Sequence, residues 1–203
     1  EKILSFLIKN IKNDKDALGA IYNVMGLVEY EKDQTAKAVD YFKKSIELNS
    51  KSAQSETMAI FIAEYYFEED KYDEAIKFYR LLYKQMNPYQ RALSDYKVAW
   101  CNINLKRYDL AEQGFIQIAK ENLDKGIVED SYKDFAFIVT REKDERLVLE
   151  RARTAFPQPQ LRVKFLYYCL LFYLQQSKDN PRDILFREAF AIQDDPYERS
   201  RLY

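Results

Sequence analysis

The side chains that could do chemistry in this sequence are carboxylates and two thiols. None of the 203 residues is histidine, which removes the commonest general base, the Ser/His and Cys/His nucleophile pairs and histidine metal sites. The densest acidic runs are Glu68-Glu69-Asp70 and Asp194-Asp195, which would have to act as general acid and base. Both runs lie between predicted helices, where acidic residues are usually solvated or cap the following helix. We therefore predict no catalytic residues and no enzyme.

The remaining chemical signals also indicate a protein without a cofactor. Cys101 and Cys169 lie in separate helical segments, and each is predicted to be a small, buried apolar residue. The sequence contains no CxxC pair and no glycine-rich phosphate loop, so we expect no metal site and no bound nucleotide. With 32 Lys+Arg against 33 Asp+Glu, the net charge of -1 provides no basic face for nucleic acid.

The elements that would position any binding residues are best seen in one segment, from Ile62 to Met86. Apolar residues recur at helical spacing in both halves of this segment, with the polar run 68–71 between them. This pattern predicts two amphipathic helices that pack as an antiparallel pair. Ala63 and Ala75 each lie about one turn from the joint, so we expect them where the two helices approach most closely.

The same pattern recurs along the chain every 36 or 37 residues. The residues equivalent to Ala75 are Ala38, Ala111, Val148 and Ile184. Twelve residues before each anchor stand Gly26, Ala63, Ala99, Ala136 and Phe172, four of which are small. An aromatic residue follows the first three anchors by four positions, at Phe42, Tyr79 and Phe115.

These residues resemble the tetratricopeptide repeat (TPR) family, which has small residues at two fixed positions and an aromatic residue four positions after the second. The resemblance implies an all-α fold, a right-handed superhelical solenoid of antiparallel helix pairs. It predicts a helix at 1–15, which either caps the array or is the second helix of a truncated repeat. Five repeats follow, the last two divergent, at 19–52, 56–89, 92–125, 129–162 and 165–198. We expect them to form one continuous domain of a longer protein.

The resemblance also implies where a partner would bind, because TPR ligands mostly lie on the concave side, which the first helix of each repeat lines. Several of these residues could instead pack between adjacent first helices. Trp100 is the best single candidate, since aromatic anchors dominate binding hot spots. The predicted partner-binding residues are Val24, Leu27, Tyr30, Ile60, Phe61, Glu64, Phe67, Tyr96, Lys97, Trp100, Ile103, Lys133, Phe137, Arg141 and Tyr173.

One well-known TPR binding mode is not expected here. TPR domains that hold the acidic C-terminus of cytosolic chaperones use a clamp of Lys, Asn and Arg at fixed groove positions. At those positions this chain has Asn23, Leu27, Phe61, Leu93 and Lys97. Only Asn23 matches, and Lys97 is a basic residue where the family has arginine.

We therefore expect a scaffold that takes an amphipathic helix or extended apolar peptide of a protein partner in its groove, without nucleic acid or membrane insertion. Residues 96–115 resemble TPR segments of bacterial envelope and motility-complex proteins, which implies a periplasmic assembly. The alternative is the sensor domain of a cytoplasmic receptor for signalling peptides. The apolar segment from Phe165 to Leu174 is too short to span a membrane. It is expected either to be buried on both sides or to mediate self-association.

Overall fold

The computed structural model describes Ile11 and residues 13–141, 144–176 and 183–192, and all regular structure in these residues is α-helical. The all-α fold class is confirmed. Predictions about the 1–15 helix before Ile11, the 165–198 repeat beyond Ile192 and the Asp194-Asp195 run lie outside the described residues. The helices, numbered along the chain, are α1 Lys15–Tyr30, α2 Thr35–Leu48, α3 Ser55–Glu68, α4 Tyr72–Leu81, α5 Pro88–Asn104, α6 Tyr108–Glu121, α7 Lys125–Val139, α8 Glu145–Ala155, α9 Pro159–Gln176 and α10 Asp183–Ile192.

The chain divides into two compact units, Glu1–Ala111 and Glu112–Tyr203, with the boundary inside α6. In the first unit each helix from α1 to α4 packs against the next helix along the chain. In the second unit α9 packs against α7, α8 and α10, and α8 also contacts α10. None of the helices in the described ranges is long and apolar enough to cross a membrane.

Side-chain caps begin several of the helices. Asn87 accepts a hydrogen bond from the backbone N–H of Gln90, whose side chain accepts one from the Asn87 N–H, and Pro88 occupies the first turn of α5. The segment Ile62–Met86 was predicted to form two helices. In the structure the second of them, α4, already ends at Leu81, and Asn87 caps the start of the next helix.

The turn inside each of the first three helix pairs has the same geometry. Asp33, Asp70 and Lys106 all adopt the left-handed conformation, with φ of 58°, 57° and 59°. In each turn the next residue donates a hydrogen bond to the carbonyl five positions earlier, for example from the Arg107 N–H to the Asn102 oxygen at 2.8 Å. This is the Schellman ending of an α-helix, made here without glycine.

Small residues allow the helices of the first unit to pack closely. Ala38, Ala63 and Ala75 are completely buried, and the last two belong to one cluster with Tyr79 and residues of α5. Gly26 shows the requirement most sharply, because a Cβ there would lie 2.5 Å from the Phe42 ring. Close helix packing therefore depends on the absence of a side chain at this position.

The core of the second unit is built from aromatic rings. Phe135 and Phe165 stack with centroids 4.6 Å apart, and Phe156 lies 5.3 Å from both Phe165 and Tyr132. The Tyr132 hydroxyl has no hydrogen-bond partner among the described residues, and burial raises the pKa of Tyr132 to about 12. These rings join α7, α8 and α9 in one apolar cluster.

Candidate partner-binding face

Side chains from the first helices of the first three pairs meet in the first unit. The Tyr30 ring on α1 meets the Phe61 ring on α3 edge to face, with centroids 5.2 Å apart. The Lys97 ammonium on α5 lies 2.7 Å from the Glu64 carboxylate on α3. We call the surface formed by Val24, Leu27, Tyr30, Phe61, Glu64, Phe67, Lys97 and Trp100 the first-helix face.

The α1 part of this face is apolar and open to solvent. Leu27 is 50% exposed, and Val24 and Tyr30 are nearly as accessible. Val24 and Leu27 are three positions apart, so they project from the same side of the helix. Apolar side chains grouped in this way are typical of interaction surfaces.

Phe61 connects the exposed part of the face to the core. Its ring is half-buried and lies 5.3 Å from the Phe42 ring on α2, in addition to its contact with Tyr30. It also packs against the cluster that contains Ala59 and Ile62. A charge at Phe61 would therefore disturb the fold as well as any binding surface.

The centre of the face contains the Glu64–Lys97 ion pair, which is held in place by a hydrogen bond from a buried residue. The Glu64 carboxylate accepts a 2.7 Å hydrogen bond from the Tyr79 hydroxyl at Oε1 and a 2.7 Å hydrogen bond from Lys97 Nζ at Oε2. Tyr79 is completely buried, and the Lys97 ammonium also lies 5.2 Å from the centre of the Phe67 ring. The pair is partly accessible, since about a third of each charged side chain remains exposed.

The groups beneath this pair stay neutral. Burial, followed by the hydrogen bond to Glu64, raises the pKa of Tyr79 far above its usual range. Burial also raises the pKa of the Cys101 thiol to about 12, with the Glu64 charge a smaller cause. The charges at the centre of the face are therefore the Glu64 carboxylate and the Lys97 ammonium. Within the described part of the chain, no group of three or more metal-ligating side chains could hold an ion.

Several predicted residues on α3 and α5 are less accessible than those on α1. Ile60, Tyr96, Trp100 and Ile103 are half-buried, so each combines packing with a limited exposed area. The carbonyl of Trp100 accepts a 3.0 Å hydrogen bond from Asn104 in the next turn of α5. Trp100 can therefore present only part of its ring system to a partner.

In the second unit the structure brings together some of the predicted residues and moves one to the core. Phe137 is 42% exposed, with the Arg141 guanidinium 5.2 Å from its ring centre. Lys133 lies 3.4 Å from both Glu129 and Asp130 on its own helix.

Tyr173 is completely buried, contrary to its predicted place on a binding surface, and Phe172 is the α9 residue whose ring meets Phe137, at 5.6 Å. The repeat spacing had placed Phe172 at the small-residue position, where the two helices of a pair approach most closely and a large ring does not fit.

Two further residues matter to these surfaces and were not predicted as site residues. The sequence indicated Tyr79 as a packing aromatic, but its hydroxyl also orients Glu64 from the adjacent helix. Phe172 was indicated only as a break in the small-residue pattern. For Tyr79 the sequence did contain a signal, because Glu64 directly follows the small residue Ala63 and so lies beside the close contact between the two helices.

Comparison with known proteins agrees with this architecture. The sequence profile of the tetratricopeptide repeat matches residues 19–52. The crystal structure of YrrB, a TPR protein with an unusual peptide-binding site, superposes with a TM-score of 0.51 at 16% identity, covering 98% of this chain and 96% of YrrB.

Two other solved structures match less closely in shape. The N-terminal domain of stress-induced protein-1 from C. elegans has a TM-score of 0.49 at 21% identity, covering 59% of this chain and 95% of that domain. The Rap conjugation gene regulator of the plasmid pLS20, solved with a bound peptide, has a TM-score of 0.47 at 16% identity, covering 86% of this chain and 53% of the regulator.

No curated protein matches the chain by sequence. The match to YrrB extends over nearly the whole chain and therefore concerns the fold, whereas the profile match concerns one repeat. The described helices, the profile match and the match to YrrB lead to one conclusion: residues 19–52 match the tetratricopeptide repeat family, and the chain has an all-α fold of successive helix pairs similar to that of YrrB.

Proposed function

We propose that this chain is a non-catalytic scaffold that binds a peptide segment of a partner protein along the first-helix face. The observation that carries the proposal is the continuity of this face across three helices. Exposed apolar residues on α1 lie beside the Tyr30–Phe61 ring contact between α1 and α3. One turn further along α3, the Glu64–Lys97 pair connects α3 to α5. A bound segment could bury apolar surface at one end and make polar contacts at the other.

The size of the apolar contribution can be judged from the exposed side chains. Full burial of a leucine or valine side chain stabilises a complex by about 1.5–3 kcal/mol, and Leu27 has about half of that area available. Val24, Leu27 and Tyr30 together could thus contribute a few kcal/mol by this measure. The entropy lost on association offsets part of this binding free energy. Additional contacts at α3 and α5 are therefore needed for stable binding.

The similarity in fold supports the same role. YrrB has the same fold and is a peptide-binding TPR protein, which makes peptide recognition the natural proposal for this chain. For the wider setting we propose a multiprotein assembly. The resemblance of residues 96–115 to TPR segments of bacterial envelope and motility-complex proteins favours the cell envelope as its location.

The test compares two substitutions that are chemically identical and equally exposed. Leu27 on the first-helix face and Leu81 at the end of α4 are both 50% exposed. Leu27→Glu and Leu81→Glu should therefore perturb folding to a similar and small extent. We expect affinity capture from the source organism's lysate to retain a protein with wild type and with Leu81→Glu, and to lose it with Leu27→Glu.

Circular dichroism and thermal unfolding first establish that the two variants are equally folded. Retention of the same protein by Leu27→Glu would remove the first-helix face from consideration. Phe61→Glu is unsuitable here, because Phe61 packs against the core and its loss of binding would not be interpretable.

A further inference from the structure

We propose that the Glu64–Lys97 pair recognises a neutral amide, so that the first-helix face takes an uncharged internal segment of a peptide and not a chain end with a free carboxylate. This inference rests on the proposed function and names the chemistry of its partner. The occupant would place a backbone amide, or the side-chain amide of Asn or Gln, against the pair. Apolar or aromatic residues would flank that amide.

The first step of the argument is the fixed position of the carboxylate. Glu64 receives one hydrogen bond at each oxygen, from the Tyr79 hydroxyl and from Lys97, both at 2.7 Å. Tyr79 belongs to the core and is completely buried, so its hydroxyl holds the carboxylate at the base of the face. Glu64 therefore cannot swing away from an incoming group without leaving a buried hydroxyl unsatisfied.

The second step concerns hydrogen-bonding capacity. A carboxylate offers about four lone-pair sites and an ammonium three N–H donors. The two hydrogen bonds described here use two of the acceptor sites and one of the donors. An amide group brings one N–H donor for Glu64 and one C=O acceptor for Lys97, and so it complements the pair without breaking it.

The third step is charge. The Glu64 and Lys97 charges lie 2.7 Å apart and cancel at a distance, so the pair does not attract an ion of either sign. An incoming carboxylate would have to take Lys97 from Glu64, which would leave two carboxylates competing for one ammonium. An incoming ammonium or guanidinium would compete with Lys97 for Glu64 in the same way. A neutral group avoids both costs.

The neighbouring residues indicate what flanks the amide. Phe67 lies against the Lys97 ammonium at 5.2 Å, and Phe61 is one turn before Glu64 on the same helix. Trp100 is one turn beyond Lys97 on α5. A polar pair within an aromatic surround fits a polar group of a peptide whose adjacent side chains are apolar.

The experiment uses random dodecapeptides displayed on phage in two formats, one as an internal segment and one with a free C-terminus. Selection on wild-type protein should enrich sequences from the internal format that lack charged residues at their centre. Each enriched peptide is then synthesised with a C-terminal carboxamide or a free carboxylate, and fluorescence anisotropy measures both dissociation constants. Wild type should bind the carboxamide form at least as tightly as the acid.

Glu64→Gln supplies the decisive comparison. Glutamine keeps an oxygen for the Tyr79 hydroxyl but removes the negative charge, so Lys97 becomes available to an acid. We expect selection on this variant to shift to the free C-terminal format, with the acid-to-amide affinity ratio rising about tenfold or more. Glu68→Gln, which removes an exposed carboxylate one turn further along α3, should leave the ratio unchanged.

The outcomes separate this inference from the proposed function. Enrichment of free carboxylates by wild type, or an unchanged ratio in Glu64→Gln, would overturn the inference, and the proposed function would stand if Leu27→Glu still abolished binding of those peptides. Failure of both formats to yield any peptide that binds wild type but not Leu27→Glu would overturn both.

Discussion

Two carboxylates of the described structure, Glu64 and Glu188, are each held by two side chains in different surroundings. Glu64 shares its oxygens between a tyrosine and a lysine at a partly open surface. Glu188 on α10 is bound by two arginines, with Arg153 at 2.6 Å and 3.2 Å and Arg162 at 3.1 Å. Arg162 also donates 3.0 Å hydrogen bonds to the carbonyls of Phe156 and Pro157. Glu188 therefore links α8, α9 and α10 within the second unit, which is a structural role.

This linkage predicts a pH-dependent stability. The hydrogen bond from Arg153 is the main cause of a lowered pKa for Glu188 in the folded protein. A carboxyl whose folded pKa is depressed stabilises the fold above its unfolded pKa, and this contribution is lost as the pH falls through the folded value. At pH 7 we expect Glu188→Gln to lower the free energy of unfolding by about 2 kcal/mol, in the range for hydrogen bonds to charged groups.

Urea unfolding at a series of pH values measures this effect. The difference in free energy of unfolding between wild type and Glu188→Gln should decrease steadily below about pH 4.5, the ordinary pKa of a glutamate side chain. Glu47→Gln, at an exposed position on α2, is the control and should behave as wild type at every pH. A gap that stayed constant down to pH 2 would mean that the Glu188 charge does not stabilise the fold.

The helix pairs of the first unit are joined by turns with one geometry and different residues. Each turn places a non-glycine residue at positive φ, where a side chain costs about 1–2 kcal/mol unless it is Asn or Asp. Asp33 and Asp70 have the tolerated side chain, and the Asp70 carboxylate also accepts a hydrogen bond from the Tyr72 hydroxyl. Lys106 has neither advantage, since its side chain is long and exposed. The third turn is therefore the most strained of the three.

Lys106→Gly should consequently raise the free energy of unfolding, by about 1 kcal/mol. Glycine adopts the left-handed conformation without a Cβ clash, and this gain exceeds its entropic cost at a position that requires positive φ. Chemical denaturation measures the change. Lys106→Ala is the control, because it removes the same charge and keeps the Cβ, and it should produce no gain. Equal stabilisation by both variants would attribute the effect to the lysine side chain and not to the backbone.

At the level of the complete chain, each of the two units has its own buried clusters. The first unit contains the aliphatic and aromatic clusters of α2 to α5, and the second contains the aromatic cluster of α7 to α9. In repeat proteins each helix pair contacts mainly its neighbours, so stability is approximately a sum of local terms. A substitution should then loosen the helices around it and leave distant pairs unaffected.

Gly26→Val tests this locality. The added side chain would collide with Phe42, whose ring already contacts Phe61, and overpacking of this kind typically costs 1–3 kcal/mol. Hydrogen exchange followed by mass spectrometry should show faster exchange in α1 and α2 and unchanged exchange in α9. Gly126→Ala is the matched control, because its Cβ would come no closer than 3.4 Å to a neighbouring atom. A uniform increase across all the described helices would show instead that the chain unfolds as a single cooperative unit.

The helix pairs and their class followed from the sequence because their causes are local. Apolar residues at helical spacing identify a buried face within one segment, and small residues at Ala63 and Ala75 identify where two consecutive helices touch. The absence of histidine in the sequence was equally direct. These properties depend on residue type and on separations of a few turns, which a single sequence displays.

The details of the binding face depended on side chains that are distant in the sequence. The Glu64 carboxylate is placed by Tyr79 and Lys97, fifteen and thirty-three positions away, and no local pattern predicts that their atoms meet. The same limit applies to α9, where Tyr173 was predicted to lie on the surface but is buried, and the neighbouring Phe172 contacts Phe137 instead. A shift of one residue turns a side chain by about 100° around a helix. Periodicity predicts that a helix has a buried side, whereas only packing against neighbouring helices selects which residue at its edge is buried and which is exposed.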